Sequence, residues 1–197
     1  MIIKNKIPQI RFKGFRGEWE EGRLFNLGIF NPKAEIPDKF EYVDLESVVG
    51  TKMISHRMVN KSAAPSRAQR VALQGDLFYQ TVRPYQKNNC LFDLPYNHYV
   101  FSTGYAQIRP FKNGSFLLSL VQSYRFLKDV LNNCTGTSYP AINSKDLANI
   151  DILYPKQYEQ SKIGNYFQKL DKLIEQHQKK YDKLVTLKKA MLDKMFV

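Results

Sequence analysis

The last quarter of the sequence constrains the fold most, because it has no proline after Pro155 and no glycine after Gly164. Apolar residues recur there with heptad spacing, which predicts a single helix from Gln157 to Met195. At 1.5 Å per residue this helix would be about 58 Å long, more than a small domain can cover with its own surface. An amphipathic helix more often packs in a core, but this length predicts a partner outside the domain.

The apolar stripe of this helix predicts a coiled-coil seam. A polar layer at His177 and Lys180 interrupts the seam, and such layers set register and partner orientation. The predicted seam residues are Ile163, Tyr166, Phe167, Leu170, Leu173, Ile174, His177, Tyr181, Leu184, Leu187 and Met191.

The first 155 residues predict an α+β domain, because short apolar runs alternate with turn residues. Residues 1–22 are expected to form an extended arm, with Trp19 packed in the core. Residues 40–49 have the alternation of a strand, and residues 50–69 have no clear period and predict a long loop. Residues 70–83 predict a hairpin that turns at Gly75 and Asp76.

The remaining elements follow the same signals. Residues 99–102 and 105–109 are predicted to pair across a tight turn. One helix is predicted from Ser115 to Leu131, with Ser115 as its N-cap. Ser144 is predicted to cap a short turn, and residues 150–153 to form the last strand. We therefore divide the chain into a mixed, β-rich domain at 1–155 and a long coiled-coil helix at 156–197.

The charge distribution favours a polyanionic partner. The formal net charge is +12 and the pI is about 9.6, and residues 52–87 hold seven basic side chains against Asp76 alone, a net +6. Basic side chains clamp nucleic-acid phosphates without carrying sequence information. We assign that role to Arg57, Lys61, Arg67 and Arg70.

The strand-to-loop transition after Leu77 is rich in side chains that read bases. Arginine donates twice to guanine, and glutamine or asparagine can bond adenine through two atoms. The candidates are Gln80, Thr81, Arg83, Tyr85, Gln86, Lys87, Asn88 and Asn89. A second group, Thr137, Ser138 and Tyr139, either faces DNA or forms a turn that aims the last strand.

Catalytic machinery is not recognisable in the sequence. It has no phosphate-binding glycine loop and no dinucleotide-binding motif, and Asp93-Leu-Pro-Tyr96 departs from the methyltransferase motif it resembles. Cys90 and Cys134 lack metal-ligand spacing and the three histidines are scattered, so we expect no metal site. No apolar run approaches a membrane span, and we expect a cytoplasmic protein.

Three stretches resemble the specificity subunits of type I restriction-modification systems. They are Pro8-Gln-Ile-Arg-Phe-Lys-Gly-Phe-Arg-Gly-Glu-Trp-Glu-Glu21, the run Gly75-Asp-Leu-Phe-Tyr-Gln-Thr-Val-Arg-Pro-Tyr85, and residues 137–155 followed by Glu159-Gln-Ser-Lys-Ile163. The resemblance implies a non-catalytic subunit with a target recognition domain for double-stranded DNA and a helical spacer. It also implies a methyltransferase partner that uses S-adenosylmethionine, and it leaves open an ATP- and Mg-dependent restriction partner. This chain is expected to hold no cofactor itself.

The resemblance qualifies two of these expectations. Arg83-Pro84 looks like a framework feature of such domains, so Gln86, Lys87 and Asn88 are the favoured base contacts. The family's usual subunit has two recognition domains and two helices, whereas this half-length chain has one of each, so we expect an antiparallel homodimer that reads inverted half-sites. The alternative is a basic coiled-coil scaffold that binds nucleic acid without sequence preference.

Overall fold

The computed structural model describes residues 6–136 and 138–196. Its strands are β1 (Glu20–Arg23), β2 (Gly28–Phe30), β3 (Lys39–Val43), β4 (Val48–Val49), β5 (Lys52–Met53), β6 (Arg57–Asn60), β7 (Ala68–Val71), β8 (Leu77–Gln80), β9 (Cys90–Leu91), β10 (Tyr99–Ser102), β11 (Tyr105–Pro110) and β12 (Asp151–Tyr154). Its α-helices are α1 (Gly114–Val121), α2 (Tyr124–Leu131), α3 (Ser144–Ala148) and α4 (Gln157–Met195). The predicted α+β class, the final strand and the bounds of the long helix are confirmed.

Two four-stranded sheets stack face to face and form the centre of the domain. The first has the order β2-β11-β8-β9 and the second β6-β3-β10-β7. Strand β8 is buried on both faces, because Leu77 and Tyr79 pack in the core on the helix side while Phe78 stacks on Phe101 of the second sheet with ring centroids 3.6 Å apart. This burial explains why the first three residues of β8, Leu77 to Tyr79, are all apolar or aromatic.

Both predicted hairpins are wrong, for the same reason. Strands β7 and β8 lie in different sheets, as do β10 and β11. The chain changes sheet at Gly75 and again at the Thr103–Gly104 turn, so each turn joins two layers instead of two paired strands. Turn residues show that the chain reverses but not which strand it pairs with afterwards.

The region from residue 40 to 69 also differs from the prediction. Strand β3 ends at Val43 because Asp44 caps a 3-10 turn at Leu45–Ser47, accepting a hydrogen bond from the Glu46 backbone at 3.2 Å. The predicted loop at 50–69 contains β5, β6 and the start of β7. Strand β6 lies at a sheet edge with most side chains exposed, which removes the apolar alternation that identifies a strand.

The helices on the first sheet begin at caps that differ from the predicted ones. The predicted helix from Ser115 is two helices: Asn113 caps α1 and Ser123 caps α2 through side-chain oxygens that accept backbone hydrogen bonds. Asn143 caps α3 in the same way, and Ser144 is the first helical residue. Serine, asparagine and aspartate cap with similar strength, so composition alone does not choose between neighbouring candidates.

A buried polar network joins the two sheets. Asp76, 1% exposed, accepts hydrogen bonds from Arg109 at 2.9 and 2.8 Å and from Gln107 at 2.7 Å. The Gln107 amide also donates to the Val71 backbone oxygen, at 2.8 Å, in the second sheet. The pairing offsets the cost of burying the Asp76 charge, and the hydrogen bond to Asp76 raises the pKa of Arg109.

The N-terminal arm and α1 hold the start of α4 against the domain. Arg11 donates to both carboxylate oxygens of Glu159 at 2.7 Å, which raises the pKa of the Arg11 guanidinium. Trp19 is half-buried beside the same carboxylate, so its predicted place in the core is wrong. Gly164 lies so close to α1 that a Cβ there would be 2.7 Å from the Phe116 nitrogen.

Candidate nucleic-acid interface

The loop 81–89, which follows β8, is tied to three other parts of the domain. Thr81 donates to the Gly104 oxygen through its backbone nitrogen and its hydroxyl, at 2.9 and 2.8 Å. The Arg83 nitrogen donates to the Pro140 oxygen at 2.8 Å, and the Gln122 amide donates to the Lys87 oxygen at 3.0 Å. The loop is therefore held at its start, middle and end.

The middle of the loop is conformationally strained. Arg83 has φ 54° and Lys87 has φ 56°, both left-handed, on either side of a 3-10 turn at Pro84–Gln86. Residues other than glycine rarely adopt this conformation, which costs of order 1–3 kcal/mol each and occurs often at functional sites. The strain is maintained by the backbone anchors and points to a loop built to present particular side chains.

Buried Gln80 orders the exposed side of the loop. Its backbone nitrogen donates to the Asn89 side-chain oxygen at 2.9 Å. Its side-chain amide donates to the Val82 oxygen at 2.7 Å and to the Gln86 side-chain oxygen at 2.8 Å. Gln80 is 2% exposed and Thr81 is also buried, so the predicted contact of these two with DNA is replaced by a role in positioning the loop.

A cleft of about 330 Å³ opens between this loop and the turn that follows β3. The Gly50 nitrogen donates to the Asn88 side-chain oxygen at 2.9 Å, which ties the two walls together. The lining residues are Leu45, Glu46, Val48, Val49, Gln80, Val82, Arg83, Gln86 and Asn88. The structure thus brings Arg83, Gln86 and Asn88 together at one cleft.

The segment 138–141 lies next to the loop 81–89 and contacts it through Tyr139 and Ala141. Val82 and Ala141 form an antiparallel bridge, and the Arg83 guanidinium lies 4.5 Å from the centroid of the Tyr139 ring. Tyr139 and Ser138 are both exposed, while Thr137 lies outside the described residues. Arg83 is therefore held at the surface by an aromatic ring, with its donors available beside the cleft.

The four predicted phosphate contacts lie in different environments. Arg57 is paired with Asp44 at 2.7 Å and lies over the Tyr42 ring. Lys61 and Arg67 are exposed, and the Arg67 oxygen accepts from Thr103 at 2.8 Å, in the turn whose Gly104 oxygen anchors the loop. Their contact with DNA phosphates stays a prediction.

Arg70 differs from the other three. Its Nε is buried without a hydrogen-bond partner among the described residues, and burial lowers its pKa. Tyr85 and Lys87 are on the loop, with Tyr85 exposed and Lys87 half-buried. The contacts of Arg70, Tyr85 and Lys87 with DNA stay predictions.

One wall of the cleft was not predicted from the sequence. Glu46, Val48 and Val49 were expected in a strand. Asn89 was expected among the base-reading residues, whereas it is buried and its side chain accepts from the Gln80 backbone nitrogen. The spacing of Asp44 and Ser47, a capping box, is the signal that would have ended the strand early.

The predicted seam of α4 divides into two parts. Ile163 packs against the core of its own domain, and Tyr166 contacts Phe12 of the arm with ring centroids 5.4 Å apart. All residues from 176 to 196 are exposed, including Leu184, which is 57% exposed. The second half of the helix therefore carries an uncovered apolar stripe.

Within residues 6–136 and 138–196, no cluster of three or more histidine, cysteine or acidic side chains is placed to hold a metal. In the same ranges no helix is long and apolar enough to cross a membrane.

Residues 54–186 match the family described as type I restriction modification DNA specificity domain. The chain is similar to the HsdS subunit from Thermoanaerobacter tengcongensis, with 30% identity and a TM-score of 0.68 over 82% of this chain and 44% of that one. No curated protein gave a significant match.

Two further solved structures are similar. A chain from a study of complex assembly and conformational transition of the type I R-M system has 27% identity and a TM-score of 0.69, over 89% of this chain and 47% of that one. The type I restriction-modification S subunit from M. genitalium has 15% identity and a TM-score of 0.55, over 87% and 43%, and shows the fold alone. This chain spans less than half the length of each of the three.

Proposed function

This chain belongs to the type I restriction modification DNA specificity domain family, and on that premise we propose that it is the DNA-reading part of a type I specificity subunit. The observation that carries the proposal is the strained, anchored loop 81–89, which places Arg83, Gln86 and Asn88 at one cleft. Its role is to select a DNA sequence for an enzyme that lies on other subunits.

In this proposal, contacts divide into two kinds. Gln86 and Asn88 read base edges in the major groove, while Arg57, Lys61 and Arg67 bind phosphates and fix the register. The phosphate contacts increase the affinity for every DNA sequence and make that affinity depend on salt concentration.

The partners belong to the proposal too. We propose that a methyltransferase subunit, which supplies S-adenosylmethionine chemistry, binds the chain, and that a restriction subunit using ATP and Mg joins some assemblies. The chain itself is proposed to be non-catalytic and to act in the cytoplasm, where these subunits meet DNA.

Two copies are proposed to pair through α4, because its second half is exposed and apolar. Leu184→Asp would place an unpaired charge in the seam, so we expect it to sediment as a monomer. Gln168→Asp adds the same charge on the opposite side of the helix and should leave the dimer intact. Equal sedimentation of wild type and Leu184→Asp at matched concentration would refute this pairing.

Selection from a pool of random duplexes tests the proposed function. We expect the intact chain, with a type I methyltransferase subunit, to enrich a defined motif. Lys61→Ala should weaken binding to every duplex and reduce the salt slope by about one phosphate contact, without changing that motif. Enrichment of no motif would support the non-specific scaffold instead.

A further inference from the structure

The hydrogen bonds at the cleft fix which end of each amide faces outward. The Gly50 backbone nitrogen can only donate, so the atom of Asn88 at 2.9 Å from it must be the oxygen. The Asn88 amide nitrogen is then the group left for a ligand. If the Asn88 amide were flipped, its nitrogen would face the Gly50 nitrogen and two donors would meet. That orientation is therefore excluded.

The same reasoning fixes Gln86 through Gln80. The Val82 backbone oxygen can only accept, so the Gln80 amide nitrogen must face it at 2.7 Å. That nitrogen also lies 2.8 Å from Gln86, whose nearest atom must therefore be its oxygen. Since Gln80 is buried, the Gln86 oxygen points inward and its amide nitrogen is left free within the described part of the chain.

The side-chain amide groups that Gln86 and Asn88 leave unpaired at the cleft are consequently donors. Gln86 and Asn88 present N–H groups, and Arg83 beside them has donors only. Adenine is read by a side chain that offers one donor and one acceptor together, whereas guanine presents two acceptors, O6 and N7. Both amide oxygens already accept a hydrogen bond within the domain, so neither Gln86 nor Asn88 offers the outward donor and acceptor pair that reads adenine.

The opposite wall carries the complementary group. Glu46 lines the cleft and is exposed, next to the apolar side chains of Val48 and Val49. A carboxylate accepts from cytosine N4 and repels phosphate. The cleft therefore suits the edge of a base pair rather than the DNA backbone.

We infer that this cleft reads a G·C pair, with the Gln86 and Asn88 amide nitrogens donating to guanine and Glu46 accepting from cytosine. The inference rests on the proposed function and narrows it to a base. Gln80 is a positioning residue for this contact, since it holds the Gln86 oxygen away from the DNA.

Isosteric substitutions test the inference. Gln86→Glu keeps one oxygen for the Gln80 bond and turns a second oxygen outward in place of the donor. Asn88→Asp does the same while keeping the Gly50 bond. Gln69→Glu changes an exposed side chain of β7 that does not line the cleft, adds the same negative charge and serves as the matched control.

Motif selection followed by duplex titration is the measurement. For the wild type we expect a motif with a G·C pair whose replacement by A·T weakens binding roughly 5- to 100-fold. Gln86→Glu or Asn88→Asp should abolish the guanine preference at that pair and favour cytosine on the same strand. Gln69→Glu should weaken all duplexes equally and keep the motif.

Three results would overturn the inference. A wild-type motif in which the pair sensitive to Gln86 is A·T would contradict the donor-only edge while leaving the proposed function intact. A uniform loss of affinity with an unchanged motif in both cleft variants would assign these side chains to phosphates. A wild type that binds duplexes without any motif would refute the proposed function as well. Thermal melting shows whether each variant is folded. If one of the two cleft variants does not fold, the other still tests the inference.

Discussion

The close contact between α4 and α1 makes Gly164 the position where the smallest change should move the spacer helix. An added Cβ would lie 2.7 Å from the Phe116 backbone nitrogen, and also against the Asn113 side chain that caps α1. Ordinary contacts begin near 3.4 Å, so the helices must separate by about 1 Å. A backbone atom at the start of a packed helix cannot yield as a flexible side chain can.

Two opposing terms set the sign of the effect. Glycine to alanine inside an exposed helix stabilises by about 1 kcal/mol, whereas overpacking typically costs about 1–3 kcal/mol. We expect Gly164→Ala to destabilise the chain by about 1 kcal/mol net, which lowers Tm by roughly 2–4 °C for a chain of this size, and Gly164→Leu to cost more.

Thermal melting of Gly164→Ala, Gly164→Leu and one control variant measures this destabilisation. Asn165→Ala changes the next, exposed residue and should be neutral or slightly stabilising, because alanine is the better helix former. If Gly164→Ala raised Tm as it would in a free helix, the tight α1–α4 contact would be wrong.

Three further predictions follow from other parts of the domain. Arg109→Met should destabilise the chain by about 3–5 kcal/mol in urea denaturation, because it leaves the buried Asp76 carboxylate without its ion pair; a loss below about 1 kcal/mol would contradict the network. Hydrogen bonds from Ser47 and Arg57 outweigh partial burial and lower the pKa of Asp44. A lowered folded pKa gives stability above the unfolded value that is lost as pH falls through the folded one. The advantage of wild type over Asp44→Asn should therefore be full at neutral pH and shrink below about pH 4, and an advantage independent of pH would argue against it. A double-mutant cycle of Arg83→Ala and Tyr139→Ala should give a coupling of about 0.5–1 kcal/mol in thermal stability, whereas strictly additive effects would show that the stacking contributes nothing.

The parts of the fold that local pattern determines were predictable from the sequence. The helix from Gln157 to Met195 follows from its heptad spacing and its lack of breakers, and the strand near Ile152 from its position between turn signals. The loop after Gln80 was predicted to read bases because polar side chains from Gln80 to Asn88 follow the apolar residues of β8.

The parts that depend on long-range pairing were not predictable. The turn at Gly104 has the same local signals whether its strands pair or enter different sheets. The second case is seen only in the long-range pairing, in which β10 joins β3 and β7 while β11 joins β2 and β8. The orientation of the Gln86 amide depends on a hydrogen bond from buried Gln80. Sequence places these residues near each other but cannot say which atom faces outward.

The most direct test of the central claim is the ratio of affinities for the selected duplex and for a scrambled duplex of equal length, measured with the methyltransferase subunit at fixed physiological salt. A sequence-reading subunit should bind the selected duplex roughly 10³-fold or more tightly, and the two salt slopes should be similar because phosphate contacts are shared. Equal affinities for the two duplexes, with a steep salt slope for both, would contradict the claim that this chain reads DNA sequence.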